Sequence, residues 1–261
     1  MSESVNVNEL FEDALDAGDI SKTTFDVLQT HDLGADINAA IGVSVDALGS
    51  DEVVFVTIIL DDSASIDFSN NTTIVRNGYN MILDSLREAK VKDNILVHCV
   101  KLNSGILHPF CSLDDAVKLD GTNYNPDNGT PLYETCVKTL ATILAKWQDY
   151  TSKGVTARTV TVIVTDGAAN GYSRVEDVAS LVRDMLTMEQ HIIAGMGIDD
   201  HQTNFTEVFQ EMGILDKWIL TPGNTPQEIR AAFQVVSSSA VRASQSALSF
   251  SQTNAGGFGG I

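Results

Sequence analysis

Two hydrophobic patterns alternate along this chain. Residues 53–60, 159–165 and 191–198 are nearly unbroken runs of apolar and β-branched side chains. Runs of that length fit strands buried on both faces. Between them apolar residues recur every three or four positions, as a helix requires. Val75, Tyr79, Ile82, Leu83 and Leu86 form one such stripe. Cys136, Leu140, Ile143, Leu144 and Trp147 form another, in a helix opening at Pro131. Val178, Leu181, Val182 and Met185 form a third, behind the capping box Ser173-x-x-Glu176. Residues 95–102 and 106–110 flank Asn103-Ser104-Gly105, which reads as a hairpin turn. A short helix is expected after Ser112, a longer one over 205–212, and a short strand at 218–220. Thr225-Pro226-Gln227-Glu228 combines a capping box with proline at the first helical position, and the helix it opens is expected to run to Ala247. The alternation predicts an α/β fold. Its central sheet is mostly parallel and covered by helices on both faces, and the hairpin adds one antiparallel edge strand.

The ends of the chain differ from this middle. Residues 1–50 read as short helices: Val7, Leu10, Phe11 and Ala14 share a face, and Phe25/Leu28 and Ile37/Ile41 repeat at three and four. They hold too few large apolar residues for a core of their own, so they should pack on the main domain or on a partner. Residues 1–50 are therefore expected to be an acidic helical extension and 51–247 the main domain. Residues 248–261, with Gly256-Gly257-Phe258-Gly259-Gly260, are expected to be a flexible Ser/Gly-rich tail.

Charge narrows the partners. The 261 residues carry a formal net charge of -19. Nucleic acid and anionic membrane both need Lys and Arg to neutralise phosphates, so neither is expected as a partner. The excess is greatest over residues 1–52, where twelve acids face one base, Lys22. No apolar run nears the ~18 residues of a membrane span. The acidic first thirty residues do not resemble a secretory signal. Cys99, Cys111 and Cys136 form no CxxC pair, and Cys99 and Cys136 sit among apolar neighbours. A cytoplasmic, reducing location is expected. His98 and His191 fall on strands and should be packed, whereas His31, His108 and His201 should be solvated.

Ligands of open α/β sheets sit at the carboxyl ends of the parallel strands. Three polar clusters fall there or in loops nearby. Asp61-Asp62-Ser63-Ala64-Ser65 follows the first strand, and Asp166-Gly167 follows the strand ending at Thr165. Thr130 ends the loop Asn125-Pro126-Asp127-Asn128-Gly129 and stands where it could cap the helix at Pro131. Asp61, Ser63, Ser65, Thr130 and Asp166 offer two carboxylates and three hydroxyls. Hard oxygen donors with only one or two carboxylates suit Mg²⁺, or Mn²⁺, and no Cys or His joins them to favour zinc. Neutral hydroxyls leave much of the cation's charge uncompensated. An open position would then attract an anionic ligand, such as a partner's Asp or Glu. The plainer reading is that the serines only cap or turn the loop and Asp166 bonds nearby N–H groups.

Asp-x-Ser-x-Ser after a hydrophobic strand, then Gly-Thr-Pro-Leu, then Thr-Asp-Gly after a second strand, resembles the metal-ion-dependent adhesion site of von Willebrand factor A domains. The resemblance covers about residues 50–240 and implies a Rossmann-like A domain. It implies that Ser63, Ser65 and Thr130 ligate the metal, with Asp61 and Asp166 acting directly or through water. Asp62, Asn128 and Gly129, which adjoin these ligands in sequence, are the expected partner contacts. Ala64 stands where the family often has glycine. Among intracellular prokaryotic A domains the sequence is most similar to those linked to tellurium resistance, a stress response, and to MoxR-type AAA+ ATPases. The function implied is a non-enzymatic, metal-dependent adaptor or scaffold. The alternative is a Mg²⁺-dependent phosphatase of the haloacid dehalogenase type, with Asp61 as nucleophile, Thr165 as phosphate ligand and Asp199-Asp200 as the late acidic pair. That family needs a second Asp where this chain has Ser63.

Overall fold

The computed structural model describes residues 6–45, 49–171, 173–245 and 256–258, with the side chains of 244 and 245 outside the description. Three short helices, α1 (Val7–Ala17), α2 (Lys22–Thr30) and α3 (Gly34–Ala40), precede β1 (Glu52–Leu60). Then come α4 (Ala64–Phe68), α5 (Thr72–Arg87), β2 (Ile95–Lys101), β3 (Gly105–Ser112), α6 (Leu132–Ser152) and β4 (Thr156–Thr165). The chain continues through α7 (Val175–Thr187), β5 (His191–Gly197), α8 (Phe205–Glu211), β6 (Ile219–Leu220) and α9 (Pro226–Gln245).

The strands form one sheet in the order β3-β2-β1-β4-β5-β6. All pairings are parallel except β2–β3, the expected hairpin edge. Pro109 sits on that edge strand, where its missing N–H costs no ladder bond. Helices α5 and α9 cover one face; α6 and α7 cover the other. From β1 the chain leaves for the α5 face, and from β4 for the α7 face. Adjacent strands whose connections diverge make a switch point, and the crevice between their carboxyl ends is where such sheets bind ligands. Asp61 and Asp166 flank that crevice.

The N-terminal helices add an outer layer on the second face. α1 and α3 pack on α6, and α2 packs on α7. Val7, Phe11, Ala14, Leu28, Leu33 and Ile37 join the same buried core as the sheet. This layer explains why α6 is buried almost all round, from Leu132 to Tyr150. A strap after α3 closes it: Val43 N donates to Phe110 O at 2.9 Å, Tyr150 Oη to Val43 O at 2.9 Å, and Lys146 Nζ to Ile41 O at 2.6 Å and to Val43 O. Gly42, with φ +60°, lies so close to Phe110 that a Cβ would meet its carbonyl oxygen at 1.9 Å.

Three local expectations change. The segment after Ser112 is a single turn. Ser112 Oγ accepts from Asp115 N, and α5 side chains then take the carbonyls a helix would have used: Arg87 binds Leu113 and Ala116, and Tyr79 binds Val117. The box at Ser173 does not form; α7 starts at Val175 with Arg174 at the cap position, and no side chain caps it. At Thr225 the side-chain cap does form, with Glu228 N donating to Thr225 Oγ1 and the Thr225 hydroxyl donating to Glu228 Oε2. His108 is buried, with Nε2 2.8 Å from Tyr79 Oη, because it alternates to the inner face of β3. The expected tail falls mostly outside the described residues. Of those described, Phe258 packs edge-on against Trp218, its N–H donates to Lys217 O, and Gly257 O accepts from Arg242.

Candidate metal site

Asp61 is the first residue past β1, still tied to the sheet by its N–H to Val164 O at 2.9 Å. Its carboxylate is fully buried. Oδ1 accepts from Ser63 N at 2.7 Å and Oδ2 from Thr165 Oγ1 at 2.6 Å. Its own carbonyl accepts from the buried Tyr124 hydroxyl at 2.5 Å. Asp61 is thereby held on both sides of the switch point, by its own loop and by the end of β4.

The hydroxyls that look like helix caps do not act as caps. Ser63 occupies the cap position of α4, yet its side chain makes no capping bond; its Oγ lies 3.0 Å from Ser65 Oγ. Ser65 Oγ in turn reaches Asp166 Oδ1 at 2.5 Å. Pro131, not Thr130, is the cap residue of α6. Thr130 is instead clamped through its backbone, its N–H donating to Asn170 Oδ1 at 2.6 Å and its carbonyl accepting from Asn170 N at 2.8 Å. Its hydroxyl faces Gly167: a Cβ there would lie 3.1 Å from Thr130 Oγ1 and 3.4 Å from Ser65 Oγ. The absent side chain at Gly167 leaves room between those two hydroxyls. Asp61, Ser63, Ser65, Thr130 and Asp166 thus converge on one crevice.

Electrostatics favour a cation in this crevice. Burial pushes the Asp166 carboxyl up to about 7, and the Asp61 and Asp200 charges add to the rise against the Ser65 hydrogen bond. Burial also raises Asp61, opposed by its hydrogen bonds to Ser63 and Thr165. Two buried carboxyls raised in this way are a place where a cation would be stabilised. Clusters of three His, Cys, Asp or Glu suited to a metal are absent among the described residues, so any ion here relies on hydroxyls. The donor set and the open space at Gly167 fit a hard divalent cation.

The three expected partner contacts separate. Asp62 is buried and faces away: Oδ1 accepts from Asn103 N at 2.7 Å, and Oδ2 from Ser104 N at 3.0 Å and Ser104 Oγ at 2.5 Å. Its carboxylate is used up in bracing the β2–β3 turn, so the expectation of a partner contact is corrected. Asn128 is exposed, with φ 65°, and its carbonyl accepts from Ala64 N at 3.0 Å. Gly129 lies so close to Asn170 that a Cβ would meet Oδ1 at 2.5 Å. Asn128 and Gly129 form the loop rim beside Thr130. Sequence reasoning missed Asn170, Tyr124 and Asn103. Asn170 stands four residues past Asp166 in Thr-Asp-Gly-Ala-Ala-Asn, but only the fold reveals that it clamps Thr130.

The phosphatase arrangement finds little support in this geometry. Both Asp61 oxygens already accept hydrogen bonds, and Ser63 fills the place of a second acid. Asp199 and Asp200 turn into their own loop, bonding His201 N at 2.8 Å and Thr203 N at 2.7 Å.

No protein-family model matches the sequence, and no curated protein matches it. Solved structures do. The pilus adhesin SpaC from Lactobacillus rhamnosus GG, in its open conformation, aligns with a TM-score of 0.55 at 13% identity, over 74% of this chain and 30% of that one. The vWF domain of the type V pili tip protein Mfa5 from Porphyromonas gingivalis aligns at 0.50 and 10% identity, over 74% of this chain and 96% of that domain. The fold is that of a von Willebrand factor A domain. Proximal thread matrix protein 1 from the mussel byssus, described with a zinc-occupied MIDAS motif, aligns at 0.50 and 17% identity, over 73% of this chain and 46% of that one. The chain spans less than a third of the SpaC adhesin, so these likenesses concern the A-domain fold alone. In that fold the crevice above Asp61 and Asp166 lies at the top of the sheet, between diverging connections.

Proposed function

We propose that this chain is a divalent-metal-dependent protein-binding module. Asp61, Ser63, Ser65, Thr130 and Asp166 hold the ion directly or through water. The bound ion supplies a Lewis-acidic position that takes a carboxylate from an Asp or Glu of a partner protein. The observation that carries this reading is the use of the hydroxyls. Ser63, Ser65 and Thr130 could each have capped a helix or turned a loop, yet they point into one crevice beside two buried carboxyls. The zinc site of the byssus protein supports a divalent ion, and the oxygen-only donor set favours Mg²⁺ or Mn²⁺ here.

The pilus adhesin among the structural neighbours supports a binding role over catalysis. The finer parts of the proposal rest on the sequence resemblance: a cytoplasmic adaptor or scaffold of a stress response such as tellurium resistance, with a MoxR-type AAA+ ATPase as partner. No helix among the described residues is long and apolar enough to cross a membrane. Affinity capture on the immobilised chain, in Mg²⁺ and in EDTA, tests the reading. Proteins retained only in Mg²⁺, and lost with Thr130→Ala, are the expected outcome. An identical set retained in EDTA contradicts it and moves the interface away from the crevice.

A further inference from the structure

Phe68 is 81% exposed, by a wide margin the most exposed large hydrophobic side chain among the described residues. Its place is not arbitrary. It ends α4, three positions after Ser65, and residues three apart lie on the same side of a helix. Ile66, pointing the other way, is fully buried and anchors the helix to the core. α4 is also held at both ends: Ala64 N donates to Asn128 O at 3.0 Å, and Thr72 Oγ1 to Asp67 Oδ1 at 2.9 Å. Phe68 is therefore displayed on a fixed support, on the side of α4 from which Ser65 reaches Asp166. A rigid exposed aromatic beside a binding crevice is the kind of residue that anchors a protein interface.

The rim of the crevice is acidic. Asp67 on α4 and Asp127 on the loop before Thr130 are exposed, and the half-buried Asp200 lies close enough for its charge to be felt at Asp166. A partner carboxylate approaching the metal would be repelled by this rim unless its neighbours were cationic. The geometry points to a specific partner chemistry: an Asp or Glu for the metal, flanked by basic residues that face the acidic rim and by an apolar pocket or side chain that covers Phe68. This rests on the metal-dependent reading above and adds to it an apolar anchor and a charge requirement.

Two synthetic peptides of equal length separate the claims. One places a central Asp between leucine and lysine residues; the other replaces the lysines with glutamates. Their binding to the full chain in Mn²⁺ is followed by fluorescence anisotropy. The lysine-flanked peptide should bind at least about ten-fold tighter. Phe68→Ala should weaken it by about 30-fold, the usual loss for an interface anchor. Phe68→Leu should restore part of the affinity. Because Phe68 is exposed, circular dichroism and Mn²⁺ affinity should be unchanged in both variants. Unaltered affinity in Phe68→Ala, equal binding of the two peptides, or no binding of either overturns the inference. Loss with EDTA but not with Phe68→Ala would leave the metal reading standing and remove only the anchor. Binding that survives EDTA would instead sink the metal reading. Sedimentation in Mn²⁺ distinguishes a last occupant: self-association abolished by Phe68→Ala would make the partner a second copy of this chain and overturn the foreign-segment proposal.

Discussion

Single atoms decide the crevice. Asn170 binds Thr130 from both sides, through Oδ1 and through its own N–H, and so fixes where the Thr130 hydroxyl can point. Partners outside the ligand set are often nearly as important as the ligands. Asn170→Ala should lower divalent-ion affinity about 10- to 100-fold while leaving the far-ultraviolet circular dichroism unchanged. Wild-type affinity in that variant would show that Thr130 is positioned otherwise. Asp61, Ser63, Ser65, Thr130 and Asp166 stand out in the sequence as candidates, because they cluster just past β1, just before α6 and just past β4. The direction of Asp62 was not legible there. Adjacent acids look alike in a sequence, and only the hairpin turn, whose N–H groups it binds, turns Asp62 inward. His108 was misjudged for a related reason. It lies on an edge strand, but its partner Tyr79 comes from a helix distant in sequence.

At the scale of elements, the hydrophobic period located each strand of the sheet and the longer helices. It failed where side chains from elsewhere replace local hydrogen bonds, as Arg87 does beyond Ser112. The strap over α6 is another element that no period reveals. Lys146 is buried, and burial lowers its pKa to about 7. A neutral amine still has two N–H groups, enough for the carbonyls of Ile41 and Val43. Between about pH 7 and the ordinary lysine value of 10.5, the unfolded chain holds a proton that the folded one has released. Stability should therefore rise with pH across that window, because the cost of burying the charge is removed. Urea midpoints at several pH values should show this rise in the wild type and a smaller one in Lys146→Met. Parallel pH profiles would contradict the role given to Lys146. Gly42→Ala, at φ +60° and against Phe110, should cost more than about 1 kcal/mol in the same assay. An unchanged midpoint would mean that the strap yields.

For the whole molecule, residues 6–45 form a layer over α6 that shares the core of the sheet. A chain lacking residues 1–44 would uncover the part of α6 on which α1 and α3 pack. It should aggregate or melt at lower temperature than the full chain. A truncated protein of unchanged melting temperature would make the layer dispensable. The sequence patterns brought out the amphipathic faces of this layer but not the surface that receives them, since α6 reads as a helix without saying what covers it.

The central claim is that the crevice between β1 and β4 binds one divalent cation. Its most direct test is a calorimetric titration of the EDTA-treated, dialysed full chain with MnCl₂, in parallel with Ser65→Ala and Thr130→Val. Both substitutions remove a hydroxyl and leave the buried carboxylates in place. The account predicts one ion per chain for the wild type and at least about ten-fold weaker binding in each variant. A wild-type chain that takes up no Mn²⁺, or variants that bind it with unchanged affinity, would contradict it.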